Sequence, residues 1–279
     1  MESSLSVSDS TAELDGRSKA LRRVIVEMME KCGRGHVGAG FSLVEILRVL
    51  YDDVLKFDPA RPKWSERDRC ILSKGHGCLA LWVMLAEKGY FPQEELFKFC
   101  KTGALLGGHP EITVPGVEAS TGALGHGLPI GVGMALNARI EGSDYRTFVV
   151  VGDGECNEGS IWEAALCAAK HKLSNLTVLV DYNKHQSYGL VSEVCPLEPF
   201  APKWEAFGCA VREVDGHDVE ALRSTLAALP FDPQKPSVIV CHTHKGRGTS
   251  LTHNNMKWHH KTKLSAEEVV ALYAELEAE

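Results

Sequence analysis

The stretches Thr147-Phe-Val-Val-Val-Gly-Asp-Gly154 and Leu176-Thr-Val-Leu-Val-Asp-Tyr-Asn183 decide the fold of this chain. Each begins with an unbroken run of mostly apolar, β-branched residues, which predicts a strand buried on both faces. The residues between them, Gly159–His171, have the apolar spacing of a helix. A strand, a helix and a second strand in this order predict neighbouring parallel strands joined by a right-handed crossover.

The rest of the chain repeats this alternation of strands and helices. Further strands are predicted over Cys70–Ser73, Ala210–Val214 and Ser237–Thr243. Further helices are predicted over Ser18–Lys31, Ser42–Tyr51, Cys78–Lys88, Pro92–Lys101, Gly125–Arg139, Val219–Ala228 and Ser265–Glu277, the last opened by a capping box. Three stretches without a regular pattern, residues 102–121, 184–204 and 244–263, are expected to be functional loops. The sequence therefore predicts an α/β fold with a mainly parallel sheet flanked by helices. We expect one domain over residues 10–279, after a flexible N-terminus of residues 1–9.

The composition excludes several classes of protein. The chain has 279 residues and a net charge of −7, and it lacks a basic block, which argues against nonspecific nucleic-acid binding. Its longest apolar run, Cys78–Ala86, is far shorter than the ~18 residues of a transmembrane helix, and its first residues lack the pattern of a signal or transit peptide. Nine scattered cysteines without a C-x-x-C pair are typical of reduced thiols. We therefore expect a cytoplasmic protein without a disulfide framework.

Polar side chains follow the two central strands at the point where each strand ends. Asp153 and Asn183 are 30 residues apart, which is the length of one βαβ unit. Because the carboxyl ends of parallel strands meet at one edge of a sheet, both side chains should converge there. Their oxygens suit Mg²⁺ or Ca²⁺, and Gly152 and Gly154 would let the backbone approach a phosphate. The alternative is an ordinary strand-to-helix turn in which Asp153 is a cap.

Several motifs carry a resemblance to a known family. The pair of Gly152-Asp-Gly154 and Asn183 resembles the thiamine-diphosphate motif, and the flanking sequence is similar to the transketolase family. The further motifs are Gly35-His36, Ser73-Lys-Gly-His-Gly77, Gly108-His-Pro-Glu111, Ser120-Thr-Gly-Ala-Leu-Gly-His-Gly127, Val214-Asp-Gly-His-Asp218 and Lys257-Trp-His-His-Lys261. The resemblance implies the pyrophosphate-binding fold of that family, with thiamine diphosphate and Mg²⁺ (or Ca²⁺) as cofactors.

The resemblance also implies a metal and cofactor set. Asp153 and Asn183, with the main-chain carbonyl of His185, would hold the cation. The other contacts with the cofactor would come from His76, Gly122, Ala123, Leu124, Gly152, Gly154, Glu155, Asn183 and His259. Imidazole N–H groups suit a diphosphate, because they donate hydrogen bonds without needing a full charge. The alternative for Gly122 to Leu124 is a plain glycine-rich turn.

Four residues match catalytic positions of the family. His36 and His109 would hydrogen-bond the sugar hydroxyls and relay protons, which fits the ordinary pKa of ~6.5 of histidine. Glu158 and Glu163 would join a proton network at the dimer interface. The alternatives are loop histidines that hold turns, a helix cap at Glu158 and a solvated helix face at Glu163.

The family's pyrimidine-binding domain has no counterpart among these motifs. We therefore expect an N-terminal subunit of a split transketolase, which transfers a two-carbon ketol unit from a ketose (phosphate) to an aldose (phosphate). A separate subunit with the pyrimidine domain would complete an α₂β₂ assembly. The rival hypotheses are a component of another thiamine-diphosphate enzyme, either deoxyxylulose-phosphate synthase-like or 2-oxoacid decarboxylating, and a non-catalytic homologue that only binds the cofactor. The sequence leaves the choice of sugar open.

Overall fold

A computed structural model describes residues 12–187, 189–258 and 261–277. The strands are β1 (Arg69–Leu72), β2 (Thr147–Gly152), β3 (Leu176–Tyr182), β4 (His185–Gln186), β5 (Gly189–Leu190), β6 (Ala210–Asp215) and β7 (Ser237–His242). Five of them form one sheet in the order β1-β2-β3-β7-β6, and every neighbouring pair is parallel. Strands β4 and β5 form a separate two-stranded antiparallel ribbon. The predicted parallel α/β fold is confirmed.

Helices precede, connect and follow these strands. The α-helices are α1 (Gly16–Cys32), α2 (Val37–Ser42), α3 (Val44–Val49), α4 (Cys78–Glu87), α5 (Gly127–Glu141), α6 (Gly159–Lys170), α7 (Val191–Val194), α8 (Phe200–Ala206), α9 (Val219–Ala227) and α10 (Ala266–Glu277). Short 3₁₀-helices cover Gly75–Gly77, Gln93–Lys98, Gly154–Asn157 and Met256–Trp258, and a π-helical turn covers Leu50–Val54.

The sheet separates two apolar cores, because successive residues of a strand point to opposite faces. In β2, Phe148 and Val150 lie in one core with residues of α1, α3, α4, α9 and α10. Val149 and Val151 lie in the other core with residues of α5, α6 and α8. All four side chains are fully buried, so this strand has no polar face and reads as one continuous apolar run.

Some local predictions differ from the structure. The single helix predicted over Ser42–Tyr51 is instead α2, α3 and the π-helical turn, since the chain bends at Leu43 after a glycine-containing first segment. The helix predicted over Pro92–Lys101 is a shorter 3₁₀ segment. Residues 184–204, predicted as a loop, contain β4, β5, α7 and α8.

Other local predictions are confirmed. Ser265 and Glu268 exchange the two hydrogen bonds of a capping box, at 2.9 Å and 3.2 Å. All nine cysteines are free thiols. Within the described ranges, no helix is both long and apolar enough to cross a membrane.

Candidate functional site

The structure brings Asp153 and Asn183 together at the carboxyl edge of the sheet. Asp153 follows β2 and Asn183 follows β3, and both side chains are buried. Asp153 Oδ1 accepts a hydrogen bond from the Gly154 N–H at 2.7 Å, and its Oδ2 accepts one from the Lys184 N–H. Asn183 Oδ1 accepts a hydrogen bond from the His185 N–H at 3.1 Å. The loop after β3 is therefore tied to both predicted metal ligands.

A cleft of about 210 Å³ opens at this edge. It is lined by His36, Lys74, His76, Leu124, Gly152, Asp153, Gly154, Glu155, Asn183, His185, Gln186 and Ser187. Nine of the residues predicted to bind metal, cofactor or substrate are thus placed around one space.

The donor set at the strand tips fits a hard divalent cation. Burial raises the pKa of Asp153 to about 7, and the neighbouring Asp181 carboxylate adds to the rise. A cation beside Asp153 would compensate this costly buried charge, and carboxylate and amide oxygens are the donors that Mg²⁺ and Ca²⁺ prefer. No cluster of three or more His, Cys, Asp and Glu suited to a metal occurs in the described part of the chain. A cation here would therefore depend on mixed oxygen donors.

The backbone at Gly154 lies too close to Gln186 to carry a side chain. A Cβ at this position would lie 2.6 Å from Cβ of Gln186. Without a side chain the main chain can approach a phosphate closely. Gln186 Nε2 is buried and has no hydrogen-bond partner among the residues with described positions, so it is a further donor at this cleft.

Three of the predicted histidines, His36, His76 and His109, lie around one cavity. The rings of His36 and His76 meet edge to face, with centroids 6.1 Å apart. Both also line a second cavity of about 360 Å³, whose wall includes His109. This cavity shares His36 and His76 with the 210 Å³ cleft and therefore adjoins it. A substrate in the cavity would lie next to a cofactor in the cleft.

Residues 122–124 divide between the cleft and the surface. Gly122 has φ +147°, and a Cβ there would lie 2.9 Å from Cδ2 of His109, so glycine allows this histidine its position. Leu124 lines the cleft while its side chain remains 37% exposed. Ala123 is exposed and is not part of the cleft wall.

The predicted acidic residues have different surroundings. Glu155 is buried, and its carboxylate accepts hydrogen bonds from the Ser73 hydroxyl and from the N–H groups of Gly125 and Gly152. This geometry ties the walls of the cleft together. Glu158 and Glu163 are exposed outside the cleft, and the side chain of Glu158 makes no capping hydrogen bond, so the helix-cap alternative is wrong. The remaining predicted residue, His259, lies outside the described residues.

The sequence analysis missed a buried ion pair behind the metal cleft. The Lys74 ammonium pairs with the Asp181 carboxylate, and both side chains are almost completely buried. Ser42, Thr243 and Asn183 also donate hydrogen bonds to this carboxylate. Burial alone would raise the pKa of Asp181, but the adjacent Lys74 holds it below the ordinary value. The sequence signal for this pair was Asp181, a charged residue inside an otherwise mostly apolar strand.

Lys245 is a second missed cation. Its side chain is 4% exposed, and burial, aided by the positive charge of Lys74, lowers its pKa to about 8. Asp153 and Asp181 act in the opposite direction on the same ammonium group. Lys245 is therefore within electrostatic reach of the strand tips, and an anion bound there would stabilise its charged form.

These features define a class of protein: an α/β fold that presents oxygen donors suited to a cation, and a backbone turn suited to a phosphate, at the carboxyl edge of a parallel sheet. The family model for the thiamine diphosphate binding domain of transketolase matches residues 16–279. The chain belongs to the transketolase family, and it represents the N-terminal part of that enzyme.

Relatives and solved structures agree with this assignment. The chain is 42% identical to one subunit of the apulose-4-phosphate transketolase of Phocaeicola vulgatus, over 88% of each chain. It is 40% identical to the SqwG subunit of the 6-deoxy-6-sulfo-D-fructose transketolase of a Clostridium species, over 98% of this chain and 99% of the relative. The transketolase from Leishmania mexicana superposes with a TM-score of 0.87 at 31% identity, over 96% of this chain and 42% of that one. The chain thus spans most or nearly all of the length of separate subunits but less than half of a single-chain transketolase.

Proposed function

We propose that this chain is the N-terminal subunit of a two-subunit transketolase and that it holds the metal–diphosphate end of thiamine diphosphate. The observation that carries the proposal is the cleft in which Asp153, Asn183 and His185 lie beside His36 and His76. Family membership and similarity to two transketolase subunits along most of their length support it.

Each part of the cleft has a separate task in this proposal. Asp153, Asn183 and the main-chain carbonyl of His185 would hold Mg²⁺, whose charge would offset the charge of the diphosphate. The Gly154 backbone and His76 bind the diphosphate, with His259 as a further donor. Gly122 and Leu124 border the rings of the cofactor. When bound, thiamine diphosphate supplies an electron sink for cleavage of the carbon–carbon bond next to a ketose carbonyl.

The substrate histidines orient the sugar and manage its protons. His36 and His109 line the cavity next to the cleft, and an imidazole can donate or accept a proton near neutral pH. The two-subunit relatives are named for apulose-4-phosphate and for 6-deoxy-6-sulfo-D-fructose. Both names describe ketoses with an anionic group at the far end, so we assign this chain a ketose phosphate or sulfonate as donor and an aldose as acceptor.

A second subunit would contribute the pyrimidine-binding domain and complete the site. The names of the relatives, each described as one subunit of a transketolase, support a separate partner. We propose an α₂β₂ assembly in which Glu158 and Glu163, exposed on this chain, lie at subunit contacts and join a proton network between active sites. We also place residues 10–279 in one domain and the protein in the cytoplasm, where the nine free thiols would stay reduced.

The decisive experiment compares Asp153→Asn with Asp144→Asn, an exposed position in the loop before β2, at the opposite end of the strand. Calorimetry with thiamine diphosphate and Mg²⁺, in the presence of the partner subunit, should show binding by the wild type and the control. The Asp153 variant should bind at least about tenfold more weakly, because it loses a charged metal ligand. Equal binding by all three chains would contradict the proposed site. Activity with the co-expressed partner should appear with a ketose phosphate and not with pyruvate, and the reverse preference would favour a 2-oxoacid enzyme.

A further inference from the structure

A buried polar cluster connects the first helices with the loop that carries Lys245. Glu45 of α3 accepts two hydrogen bonds from Arg22 of α1, at 2.6 Å and 2.9 Å. The same carboxylate faces Nδ1 of His217 at 2.8 Å. All three side chains are fully or almost fully buried, and His217 belongs to the Val214-Asp-Gly-His-Asp218 motif, to which the proposed function assigns no role.

The Arg22 guanidinium leaves no N–H group for another partner. Besides its two bonds to Glu45, it donates to the main-chain carbonyls of Ser18 at 3.2 Å, Phe41 at 2.8 Å and Arg247 at 2.7 Å. These bonds use all five of its N–H groups. One positive and one negative charge are therefore matched in a fixed geometry, and Glu45 presents a rigid acceptor to His217.

The hydrogen bonds of His217 determine its tautomer. The main-chain N–H of His244 can only donate, and it lies 2.9 Å from Nε2 of His217. Nε2 must therefore be the accepting nitrogen, so the proton is on Nδ1, where Glu45 accepts it. The neutral imidazole therefore links the Glu45 carboxylate to the backbone N–H of His244 through two hydrogen bonds.

The backbone of His244 directly precedes Lys245. On the other side of Lys245, the Gly246 N–H donates to the Gly38 carbonyl at 3.0 Å, and the Lys245 carbonyl accepts from the Asn254 N–H at 2.7 Å. Two of these three bonds hold the peptide group between Lys245 and Gly246, and the bond of the His244 N–H holds the peptide group that precedes His244, so the chain is anchored on both sides of the lysine. The side chain of Lys245 packs against Gly38, two residues after the cleft residue His36: its Cγ and Cε lie 3.4 and 3.7 Å from the position that a Cβ would take at Gly38. Its ammonium group is in electrostatic reach of Asp153 and Asp181.

We propose that His217 is a positioning residue for the cofactor's diphosphate. Held by Glu45 and Arg22, it accepts the His244 N–H and so fixes the loop that directs Lys245 toward the metal and diphosphate site. The proposal rests on the proposed function for the identity of the anion, but the bridge itself is a property of this chain alone. It predicts that the accepting atom at Nε2, rather than the donor at Nδ1, determines anion affinity.

Two conservative variants separate these atoms. In His217→Gln, the side-chain carbonyl oxygen can stand near the position of Nε2 and accept the His244 N–H, while the bond to Glu45 is lost. In His217→Asn, the amide N–H can stand near Nδ1 and donate to Glu45, while the acceptor for His244 is lost. Both variants remove one hydrogen bond and the ring, so a merely structural role would weaken both alike.

The first measurement is calorimetric titration of the full chain, together with its partner subunit, with thiamine diphosphate and Mg²⁺, and the melting temperature of each variant chain is recorded alongside. We expect the glutamine variant to bind within about threefold of wild type and the asparagine variant at least about tenfold more weakly, the equivalent of one lost hydrogen bond. Equal weakening of the two variants, or wild-type binding by asparagine, would overturn the proposal. If the wild type fails to bind even with its partner subunit, the proposed function fails, and the ligand-free measurements below still decide the bridge.

The second measurement needs no ligand and, in its first part, no variant. Nitrogen-15 spectra of histidine-labelled wild-type chain should show His217 with a protonated Nδ1 and an unprotonated Nε2. Amide exchange at His244 should be faster in the asparagine variant than in the glutamine variant. A protonated Nε2 in the wild type, or the same exchange rate in both variants, would refute the bridge.

Discussion

Replacing Glu45 by glutamine tests the energetics of the buried cluster. The Arg22–Glu45 pair is bidentate, with N–O distances of 2.6 Å and 2.9 Å, and both side chains are 0% exposed. Glutamine keeps the shape of the side chain but leaves the guanidinium charge without its carboxylate. Breaking a buried pair in this way costs about 3–5 kcal/mol, because the remaining charge stays desolvated. For a domain of this size, the loss corresponds to a fall in Tm of roughly 10 °C.

The assay is urea unfolding at pH 7, followed by tryptophan fluorescence and circular dichroism. The matched control is Glu277→Gln, which breaks the Arg23–Glu277 pair at the surface, where the side chains are 45% and 55% exposed. Exposed pairs contribute about 0–1 kcal/mol, so the control should unfold close to wild type. A loss of less than about 1 kcal/mol in the Glu45 variant, no different from the control, would refute the reasoning.

The pH dependence has a defined sign. Burial alone would raise the pKa of Glu45, but Arg22 and His217 hold it well below its ordinary value. A carboxyl group with a lowered folded-state pKa contributes stability that is present above the unfolded value, about 4.5, and is lost as the pH falls toward the folded value. The stability gap between wild type and Glu45→Gln should therefore be constant from pH 7 to 5 and narrow below about pH 4.5. A gap that widens on acidification would contradict the assignment.

Two further substitutions test the cleft. Gly122→Ala places a methyl group 2.9 Å from Cδ2 of His109 at a backbone φ of +147°. It should cost about 1–3 kcal/mol of stability in the urea unfolding assay and lower kcat when the partner is present. The control is Gly133→Ala on α5, which has open space around it and should be neutral or slightly stabilising in the same assay. Lys245→Met removes a cation whose pKa burial and Lys74 lower to about 8, so the chain without ligand should be more stable than wild type at pH 7 but bind thiamine diphosphate more weakly. The folded wild type loses this proton more readily than the unfolded chain, so its free energy of unfolding should rise with pH between about 8 and 10.5. The difference in stability between wild type and variant should therefore close over that interval. A difference that does not change with pH would contradict a buried ammonium.

The parts of the fold that depend on local pattern were predictable from sequence. Strands β2 and β3 are continuous apolar runs, and the single helix between them predicts neighbouring parallel strands, so the meeting of Asp153 and Asn183 could be predicted. Helix α8 was missed, because Pro199 and Pro202 at its beginning are typical of a loop. Its buried residues Phe200 and Trp204 are four apart, which is a helical spacing, but two residues are too short a pattern to outweigh the prolines.

The charged groups of the site were less predictable, since their partners are far apart in sequence. Lys74 and Asp181 are separated by 107 residues, and His217 and Glu45 by 172. No local periodicity links such positions, and only the strand order of the sheet brings them together. The sequence motifs marked His217 as part of a pattern, but its partners became visible only with the packing of α3 against the end of β6.

Helix α2 links the cavity that we propose for the sugar with the buried ion pair of Lys74 and Asp181. His36 immediately precedes its first residue, and Ser42, its last residue, donates a hydrogen bond of 2.7 Å to Asp181. Every residue of this helix is buried. Substitutions in α2 made to change the sugar preference would therefore also disturb the Lys74–Asp181 ion pair behind the proposed cofactor site. The exposed segment around His109 is the better place for such substitutions, because changes there leave helix α2 and its hydrogen bond to Asp181 intact.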